Sequence, residues 1–235
     1  MATQDDQSQP REHTIAAVRV PIGEQWLPGD LGMPAQPRGI VLFAHGSGSS
    51  RHSSRNQYVA RALERRGLAT LLIDLLTPDE EALDEQTGDF RFNIEMLAQR
   101  LTAIVDWLQR RETTSSLPIG LFGASTGGGA ALMAAAARPR EIAAVVSRGG
   151  RPDLAGAVLS HVTSPTLLIV GGRDTTVIQM NRDAMRQMHG EVSLEIVPGA
   201  THLFEEAGAL ERVSELAGDW FSRYLQPASP ARAGA

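Results

Sequence analysis

The sequence predicts a doubly wound α/β domain built around a mostly parallel sheet of eight strands. Short apolar runs alternate with longer amphipathic stretches along the chain. The runs at residues 40–44 and 166–170 are apolar on both faces, which is typical of strands covered by helices on both sides. Because ligands bind at the carboxyl ends of the strands in such sheets, we expect the loops that follow the strands to carry function.

The predicted strands are short runs rich in β-branched and other apolar residues. They lie at residues 15–20, around Trp26, and at 39–44, 69–74, 118–122, 142–147, 166–170 and 192–197. A Pro-Ile-Gly turn at residues 21–23 separates the first two strands. We therefore expect these two strands to form an antiparallel hairpin at one edge of the sheet.

The predicted helices are stretches that place apolar residues at helical spacing. They lie at residues 57–66, 94–111, 127–137, 177–188 and 209–225. Residues 75–92 are expected to form the longest loop on the functional side and to shape one wall of the site. Residues 148–164 are too short to hold a large helical lid, so we expect an open pocket that favours small or flexible substrates.

The length of 235 residues is compatible with one large domain. We expect a single domain over residues 13–225. Residues 1–12 and 226–235 are aperiodic and rich in polar residues, proline or alanine, so both ends are expected to be flexible.

Composition excludes several classes of protein. The formal net charge is −5 and no basic run is present, which argues against a nucleic-acid partner. The chain has no cysteine, so disulfides, thiolate metal sites and a cysteine nucleophile are excluded. No signal peptide or membrane-spanning run is recognisable. We expect a cytoplasmic protein without a membrane partner.

The strongest functional signal is the sequence Gly-Ala-Ser-Thr-Gly at residues 123–127. It fits the G-x-S-x-G pattern and lies between a predicted strand and a predicted helix, which is the setting of the nucleophile turn in α/β-hydrolases. Small neighbours leave room for the strained turn that exposes Ser125. The alternative, a chance match in a glycine-rich turn, becomes less attractive in this strand-turn-helix context.

A nucleophilic serine needs an imidazole base, and the imidazole needs a carboxylate that fixes its tautomer. Asp174 and His202 follow the last two predicted strands, in the order Ser, Asp, His that this fold uses. Asp174 could equally cap the helix that follows it, and His202 could be a plain surface histidine. Asp153 is a rival acid, but Pro152 and the apolar residues after Asp153 favour a helix start there.

The loop after the third strand reads Ala-His-Gly-Ser-Gly-Ser-Ser at residues 44–50. This His-Gly-x-Gly form supplies an oxyanion-hole amide in the same fold, and we assign the backbone N–H groups of Ser47 and Thr126 as the donors. A phosphate-binding loop is the alternative, but the Gly-Lys-Ser/Thr ending of a nucleotide loop is missing. No H-E-x-x-H pair is present, so we expect neither a metal nor a cofactor.

Arginines gather after the same strands, namely Arg51 and Arg55 after the third and Arg148 and Arg151 at and after the sixth. Guanidinium groups bind carboxylates in a bidentate manner, so one hypothesis is that they hold a carboxylate of the substrate. The alternative is solvated pairing with Asp79, Glu80 and Glu81.

Five motifs make the sequence similar to the dienelactone hydrolase family, in particular to the bacterial branch often fused to a phosphoribosyltransferase domain. They read FAHGSGSSR at residues 43–51, FGASTG at 122–127, SRGGRPD at 147–153, VGGRD at 170–174 and PGATHLFE at 198–205. The similarity covers nearly the whole chain between the two ends. With no phosphoribosyltransferase half in the sequence, we expect a stand-alone version.

The sequence departs from dienelactone hydrolases proper at two positions. Those enzymes use a cysteine nucleophile held by a glutamate after the third strand, whereas this chain has Ser125 and, near the place of that glutamate, His45. The resemblance therefore implies the fold, the positions of the triad, a compact site without a lid and a carboxylesterase-like activity, but not a lactone substrate. His45, Arg51 and Arg148 remain the candidate substrate-binding residues.

These observations predict a serine hydrolase that cleaves ester or lactone bonds of small molecules through an acyl-enzyme and needs no cofactor. Two alternatives stay open. A thioesterase or peptidase could use the same triad, and a non-catalytic α/β binding module could keep the residues without the activity.

Overall fold

The computed structural model describes residues 13–226. The segments predicted to be flexible, 1–12 and 226–235, lie outside the described residues except for Gln226. Within residues 13–226 the chain forms an eight-stranded sheet in the order β1-β2-β4-β3-β5-β6-β7-β8. The strands are β1 (Thr14–Ile22), β2 (Gln25–Met33), β3 (Ile40–Ala44), β4 (Ala69–Ile73), β5 (Ile119–Ala124), β6 (Ile142–Arg148), β7 (Thr166–Gly171) and β8 (Val192–Val197).

The first two strands pair as an antiparallel hairpin, and β2 pairs antiparallel with β4. Gly23 begins the turn of the hairpin with a φ of +60°, a conformation that glycine adopts without steric cost. From β4 to β8 all neighbouring strands are parallel. The mostly parallel sheet with an antiparallel edge hairpin is confirmed.

Residues 13–226 also contain six α-helices: α1 (Ser54–Arg65), α2 (Pro78–Thr87), α3 (Ile94–Arg110), α4 (Thr126–Ala137), α5 (Thr175–Met185) and α6 (Ala209–Tyr224). Helices α1 and α6 contact each other on one face of the sheet, while α3 contacts α4 on the other. The five helices expected from apolar spacing are all present, with ends within one turn of the predicted positions.

The core consists of two apolar layers, one on each face of the sheet. In β3 the side chains of Ile40 and Leu42 enter one layer, and those of Val41 and Phe43 enter the other. Successive side chains of a strand point to opposite faces, so a strand that is apolar throughout can contribute to both layers.

The prediction of a long loop over residues 75–92 is wrong, because helix α2 occupies Pro78–Thr87. Thr77 and Glu80 form a reciprocal capping box, and Gly88 ends the helix in the left-handed conformation. The helix buries little apolar surface, since Asp84 is its one buried residue. Its stability therefore comes from the caps and from acidic residues in the first turn rather than from an apolar stripe.

The connection between β6 and β7 holds a 3₁₀ segment, Pro152–His161, interrupted at Gly156, where the backbone is not helical. Asp153 lies in its first turn, as expected for a helix start. The segment packs against α4 and α5 and forms no large lid. No helix within residues 13–226 is long and apolar enough to cross a membrane.

Candidate active site

Ser125 lies at the turn between β5 and α4, in a backbone conformation that few residues adopt. Its φ is +51° and its ψ is −122°. Such a conformation stores strain of about 1–3 kcal/mol and persists only where the surroundings enforce it. The turn places the serine at the amino-terminal end of α4, whose unpaired N–H groups favour negative charge.

Close backbone packing explains why the motif needs Gly123 and Gly127. A Cβ on Gly123 would lie 2.5 Å from the carbonyl oxygen of Gly127, and a Cβ on Gly127 would lie 2.2 Å from that of Ala44. Any larger residue would force the β5 strand, the turn and the end of β3 apart. The two glycines thus allow α4 to begin directly against the sheet.

Neighbouring backbone groups hold the turn in place. The N–H of Ser125 donates to the carbonyl of Arg148 (3.2 Å), at the end of β6. The carbonyl of Ser125 accepts from the N–H groups of Gly128 (2.9 Å) and Arg151 (3.0 Å). These bonds join the serine to the loop after β6, so the strained turn is supported from the adjacent strand.

The side chains of Asp174, His202 and Ser125 form a chain of hydrogen-bonding groups. Asp174 Oδ2 lies 2.6 Å from His202 Nδ1, and His202 Nε2 lies 3.3 Å from Ser125 Oγ. Asp174 occupies the N-cap position of α5, but its side chain makes no capping hydrogen bond. With a proton on Nδ1 donated to Asp174, the unprotonated Nε2 faces the serine hydroxyl, which is the arrangement a general base requires.

A loop of two glycines packs against the imidazole of His202. A Cβ on Gly149 would lie 3.4 Å from Cε1 and Nδ1 of the ring. The side-chain amide of the fully buried Asn181 donates to the carbonyl of Gly150 (3.0 Å), which ties this loop to α5. The helix that begins at Asp174 therefore also fixes the backbone beside His202.

The loop after β3 contacts the serine turn directly. A Cβ on Gly46 would lie 3.0 Å from Cβ of Ser125 and 3.0 Å from the carbonyl oxygen of Ala124. The backbone N–H of Ser47 donates to the hydroxyl of Thr126 at 2.9 Å. Ser47 supplies one of the two N–H groups assigned to the oxyanion hole, and this N–H group already has the Thr126 hydroxyl as its acceptor.

His45 links two loops through both ring nitrogens. Its Nε2 accepts from the N–H of Leu75 (3.0 Å), and its Nδ1 lies 3.0 Å from the carbonyl of Gly46, to which it donates. Burial lowers the pKa of His45 below 6.5, against smaller raising effects of Gly46 and Asp74. A neutral imidazole with both nitrogens engaged has no free group for a substrate.

Two aspartates engage the guanidinium of Arg51. Its guanidinium bonds Asp74 through Nη1 and lies 3.4 Å from Asp30 through Nε, and its backbone N–H donates to Asp74 Oδ1 (2.6 Å). The partners are thus Asp30 and Asp74 rather than residues 79–81. The structure does not bring Arg51 to the serine.

A cavity of about 300 Å³ opens beside Ser125 and His202. Its other walls are the loop after β3, the first turn of α1 with Arg55, the end of β6 with Arg148, and Leu203. Arg148 is 7% exposed, and its Nη2 donates to Asn56 Oδ1 at 3.3 Å. Of the three candidate substrate-binding residues, Arg148 alone reaches this cavity.

Sequence reasoning missed Asn56, Glu205 and Asn181. Asn56 and Asn181 meet their partners 92 and 31 residues away in the chain, so no local pattern could have found them. Glu205 bonds Arg55 at 3.0 Å across 150 residues. Its position three residues after His202 was the available signal.

No group of three or more side chains able to hold a metal ion occurs among residues 13–226. Two carboxylates that line a cavity together with the loop after β3 are held by arginines, since Asp74 bonds Arg51 and Asp84 bonds Arg91. Acyl transfer by a serine, by contrast, needs the groups that lie around Ser125: a base, an orienting carboxylate and N–H donors.

Comparisons with known proteins agree with this architecture. Residues 27–226 match the model of the "Dienelactone hydrolase family". The crystal structure of a dienelactone hydrolase from Anabaena variabilis ATCC 29413 is 57% identical, with a TM-score of 0.90, over 92% of this chain and 100% of that one. Est1E from Butyrivibrio proteoclasticus, at 18% identity and a TM-score of 0.75 over 88% of this chain and 98% of that one, shares the fold.

Among curated proteins, a "putative phosphoribosyl transferase" of Mycobacterium tuberculosis H37Rv is 56% identical over 208 residues, which are 88% of this chain. The match covers 46% of that protein, so the chain spans about half the length of its curated relative. The resemblance to the branch with a fused phosphoribosyltransferase is thus confirmed. The chain has an α/β-hydrolase fold and belongs to the dienelactone hydrolase family.

Proposed function

We propose that this hydrolase cleaves ester or lactone bonds of small molecules, with Ser125 as nucleophile, His202 as general base and acid, and Asp174 as the residue that orients His202. One observation carries the proposal. The distances of 2.6 Å from Asp174 Oδ2 to His202 Nδ1 and 3.3 Å from His202 Nε2 to Ser125 Oγ place the imidazole between the carboxylate that orients it and the hydroxyl whose proton it accepts.

In the first step the hydroxyl oxygen of Ser125 attacks the carbonyl carbon of the substrate while its proton passes to Nε2 of His202. Asp174 remains ionised and stabilises the imidazolium that forms. The tetrahedral intermediate collapses when His202 returns the proton to the leaving alcohol oxygen. The products of this step are a free alcohol and an acyl ester on Ser125.

In the second step water attacks the acyl carbonyl, and His202 takes a proton from that water. The second tetrahedral intermediate expels the oxygen of Ser125, which receives the proton from His202. A carboxylic acid is released and the serine hydroxyl is restored. A lactone follows the same course, except that the alcohol and the acid are parts of one product.

We propose the backbone N–H groups of Ser47 and Thr126 as donors to the oxygen that becomes negative in both intermediates. The Thr126 N–H lies at the amino-terminal end of α4, where the helix dipole favours that charge. The Ser47 N–H already donates to the Thr126 hydroxyl (2.9 Å). The oxyanion would replace this hydroxyl as acceptor, so the donor is held ready before the substrate arrives.

Small substrates fit the site best. The short connection between β6 and β7 leaves the cavity beside Ser125 without a helical lid, and its volume is about 300 Å³. Two distant proteins with the same fold support an ester: Est1E, which was crystallised with ferulic acid, and a carboxyl esterase from Tuber melanosporum.

The replacement of Ser125 by alanine tests the proposal. Ser125→Ala should abolish hydrolysis of 4-nitrophenyl acetate and leave the thermal unfolding temperature within a few degrees of the wild type. Ser116→Ala is the matched control and should retain full activity, because Ser116 is exposed and precedes the amino-terminal end of β5, whereas Ser125 follows the carboxyl end of that strand. Retention of the wild-type rate by Ser125→Ala would refute the assignment, and an inactive wild type would favour the non-catalytic binding module.

The same triad could act on thioesters or peptides. An ester, a thioester and an amide with a common acyl group separate these activities by their kcat/KM values. We expect the ester to be the best of the three and the amide the worst, because resonance with nitrogen makes an amide carbonyl resist attack and an amine leaves less readily than an alcohol.

A further inference from the structure

Arg148 is a buried cation without a carboxylate partner. It is 7% exposed, its Nε has no hydrogen-bond partner, and its Nη2 donates to the neutral side chain of Asn56 at 3.3 Å. No carboxylate among residues 13–226 lies within ion-pair distance of its guanidinium. Removing a charge from water without pairing it is strongly unfavourable, so such an arrangement requires an explanation.

Other shielded arginines in the described part of the chain are paired. Arg51 meets Asp74, Arg91 meets Asp84, and Arg100, whose side chain is 11% exposed, holds Glu80 at 2.6 Å. Arg148, by contrast, contacts uncharged side chains, which hold its guanidinium in place but do not neutralise its charge. Its guanidinium carbon lies 5.8 Å from the centroid of the Phe204 ring, which supports a cation from one side.

The unpaired cation lines the cavity that contains Ser125 and His202, and Arg55 lines the same cavity. Burial, and secondarily the positive charge of Arg55, lowers the pKa of Arg148 to about 10. Arg148 therefore remains protonated at neutral pH. A chain with a formal charge of −5 thus concentrates two positive charges beside its candidate nucleophile.

The second arginine has a partner that can be exchanged. Arg55 Nη1 lies 3.0 Å from Glu205 Oε1, with the two side chains 32% and 62% exposed. Exposed ion pairs of this kind contribute little to stability, so another carboxylate can replace Glu205 on Arg55. Glu205 is also only three residues from His202, and the arginine that it bonds lines the cavity.

We propose that Arg148 and Arg55 form a subsite for a carboxylate carried by the ester substrate, and that Glu205 is an internal carboxylate that the substrate replaces on Arg55. This inference rests on the proposed esterase function. Arg148 supplies a desolvated donor within the cavity, and Arg55 supplies a second one at the rim. Charge-assisted bonds to a carboxylate would neutralise the buried cation that the chain itself leaves unpaired.

The substrate carboxylate could lie on the acyl side or on the alcohol side of the ester, and two pairs of substrates distinguish these positions. The acyl pair is mono-4-nitrophenyl glutarate and its neutral methyl ester. The alcohol pair is 4-acetoxybenzoate and methyl 4-acetoxybenzoate. The measured quantity is the ratio of kcat/KM for the anionic ester to kcat/KM for the neutral ester, determined at pH 7.5.

We expect the wild-type enzyme to prefer the anionic member of one pair. Arg148→Gln keeps a donor near Asn56 but removes the charge, and should lower the ratio in that pair by about 10- to 100-fold. Arg55→Gln should lower it by about threefold to tenfold. Glu205→Gln should raise it by about twofold to fivefold, because the competing carboxylate is removed.

Arg212→Gln is the matched control, since Arg212 is an exposed arginine on α6 that pairs with Glu215, and its ratio should equal that of the wild type. A ratio near 1 in both pairs for the wild type would overturn the proposal. So would equal losses of anionic and neutral activity in the Arg148 and Arg55 variants. If Arg148→Gln does not fold, the Arg55 and Glu205 variants decide, because their side chains are partly exposed.

Failure of this subsite can be told apart from failure of the proposed function. Labelling of the wild-type protein by a fluorophosphonate requires only an activated serine and no carboxylate on the substrate. Labelling without a preference for anionic esters would reject the subsite alone. Absence of labelling would reject the esterase assignment itself.

Discussion

The carboxylate of Asp174 bonds Nδ1 of His202 at 2.6 Å, although Asp174 stands at the N-cap of α5, where an aspartate commonly caps the helix with its side chain. The side chain of Asp174 therefore does not cap α5 but bonds His202, which lies 28 positions later in the chain. The helix still begins at this position, because the backbone carbonyl of Asp174 accepts a hydrogen bond from the N–H of Ile178 (2.9 Å).

The first prediction follows from this pairing. Asp174→Asn should lower kcat/KM for 4-nitrophenyl acetate by about 10³- to 10⁴-fold, because an amide can hold His202 in the tautomer that cannot accept the serine proton. Asp153→Asn is the matched control. Asp153 pairs with Arg151 and should tolerate the change with less than a threefold loss. Comparable losses in the two variants would contradict the assigned role of Asp174.

The second prediction concerns the packing of the serine turn. Gly127→Ala should lower the free energy of unfolding by about 3 kcal/mol or more, because its Cβ would lie 2.2 Å from one backbone oxygen and 2.6 Å from the next. Gly23→Ala, at a positive φ but in open space, should cost about 1–2 kcal/mol. Urea denaturation measures both. Equal losses would mean that close packing is not what requires Gly127.

The third prediction separates a backbone donor from a hydroxyl donor. Thr126→Val removes the acceptor of the Ser47 N–H and should lower stability by about 1 kcal/mol. Because the N–H groups of residues 47 and 126 remain, kcat should fall less than tenfold. A fall of a hundredfold or more in a folded Thr126→Val protein would instead make the hydroxyl of Thr126 itself a donor to the oxyanion.

The fourth prediction concerns pH and His45. Burial lowers the pKa of His45, so the unfolded chain binds its proton more readily than the folded chain does. The stabilisation by neutral His45 is fully present above pH 6.5 and is lost as the pH falls towards the lowered pKa. In this window the loss amounts to at most about 1.4 kcal/mol per pH unit.

His45→Gln keeps an acceptor for the Leu75 N–H but does not titrate. The wild type should therefore gain unfolding free energy relative to His45→Gln when the pH is raised from 5.5 to 8. Urea denaturation at the two pH values measures it, and the same difference at both would show that His45 is not held neutral by the fold.

The sequence was sufficient to predict the sheet and the order of the candidate triad. Apolar runs fixed the strands, and in a parallel sheet the loops after β5, β7 and β8 must meet at one edge. Ser125, Asp174 and His202 lie in those three loops. The order and direction of the strands are therefore enough to predict that these three residues lie close together.

Helix α2 was missed for a physical reason. Apolar spacing predicts helices that bury an apolar face, and α2 presents almost no apolar face to the core. Its signals were at its ends: Thr77 and Glu80 in capping-box spacing, a proline at the first position and Gly88 after the last turn. Capping patterns thus find helices that apolar periodicity does not.

The pairing of the arginines could not be predicted from the sequence. Arg51 lies in the loop after β3 and Arg148 is the last residue of β6, yet the first meets Asp74 and the second meets Asn56. Which partner each finds depends on the face of the sheet to which the side chain points and on the position of α1. Neither is a local property of the residues around the arginine.

The most direct test of the account is the intact mass of the protein after treatment with a fluorophosphonate. We expect one covalent adduct per wild-type chain, located on Ser125 by peptide mapping, none in Ser125→Ala, and much slower formation in Asp174→Asn. An unmodified wild-type protein, or an adduct that forms equally fast in Ser125→Ala, would contradict the central claim that Asp174 and His202 activate Ser125.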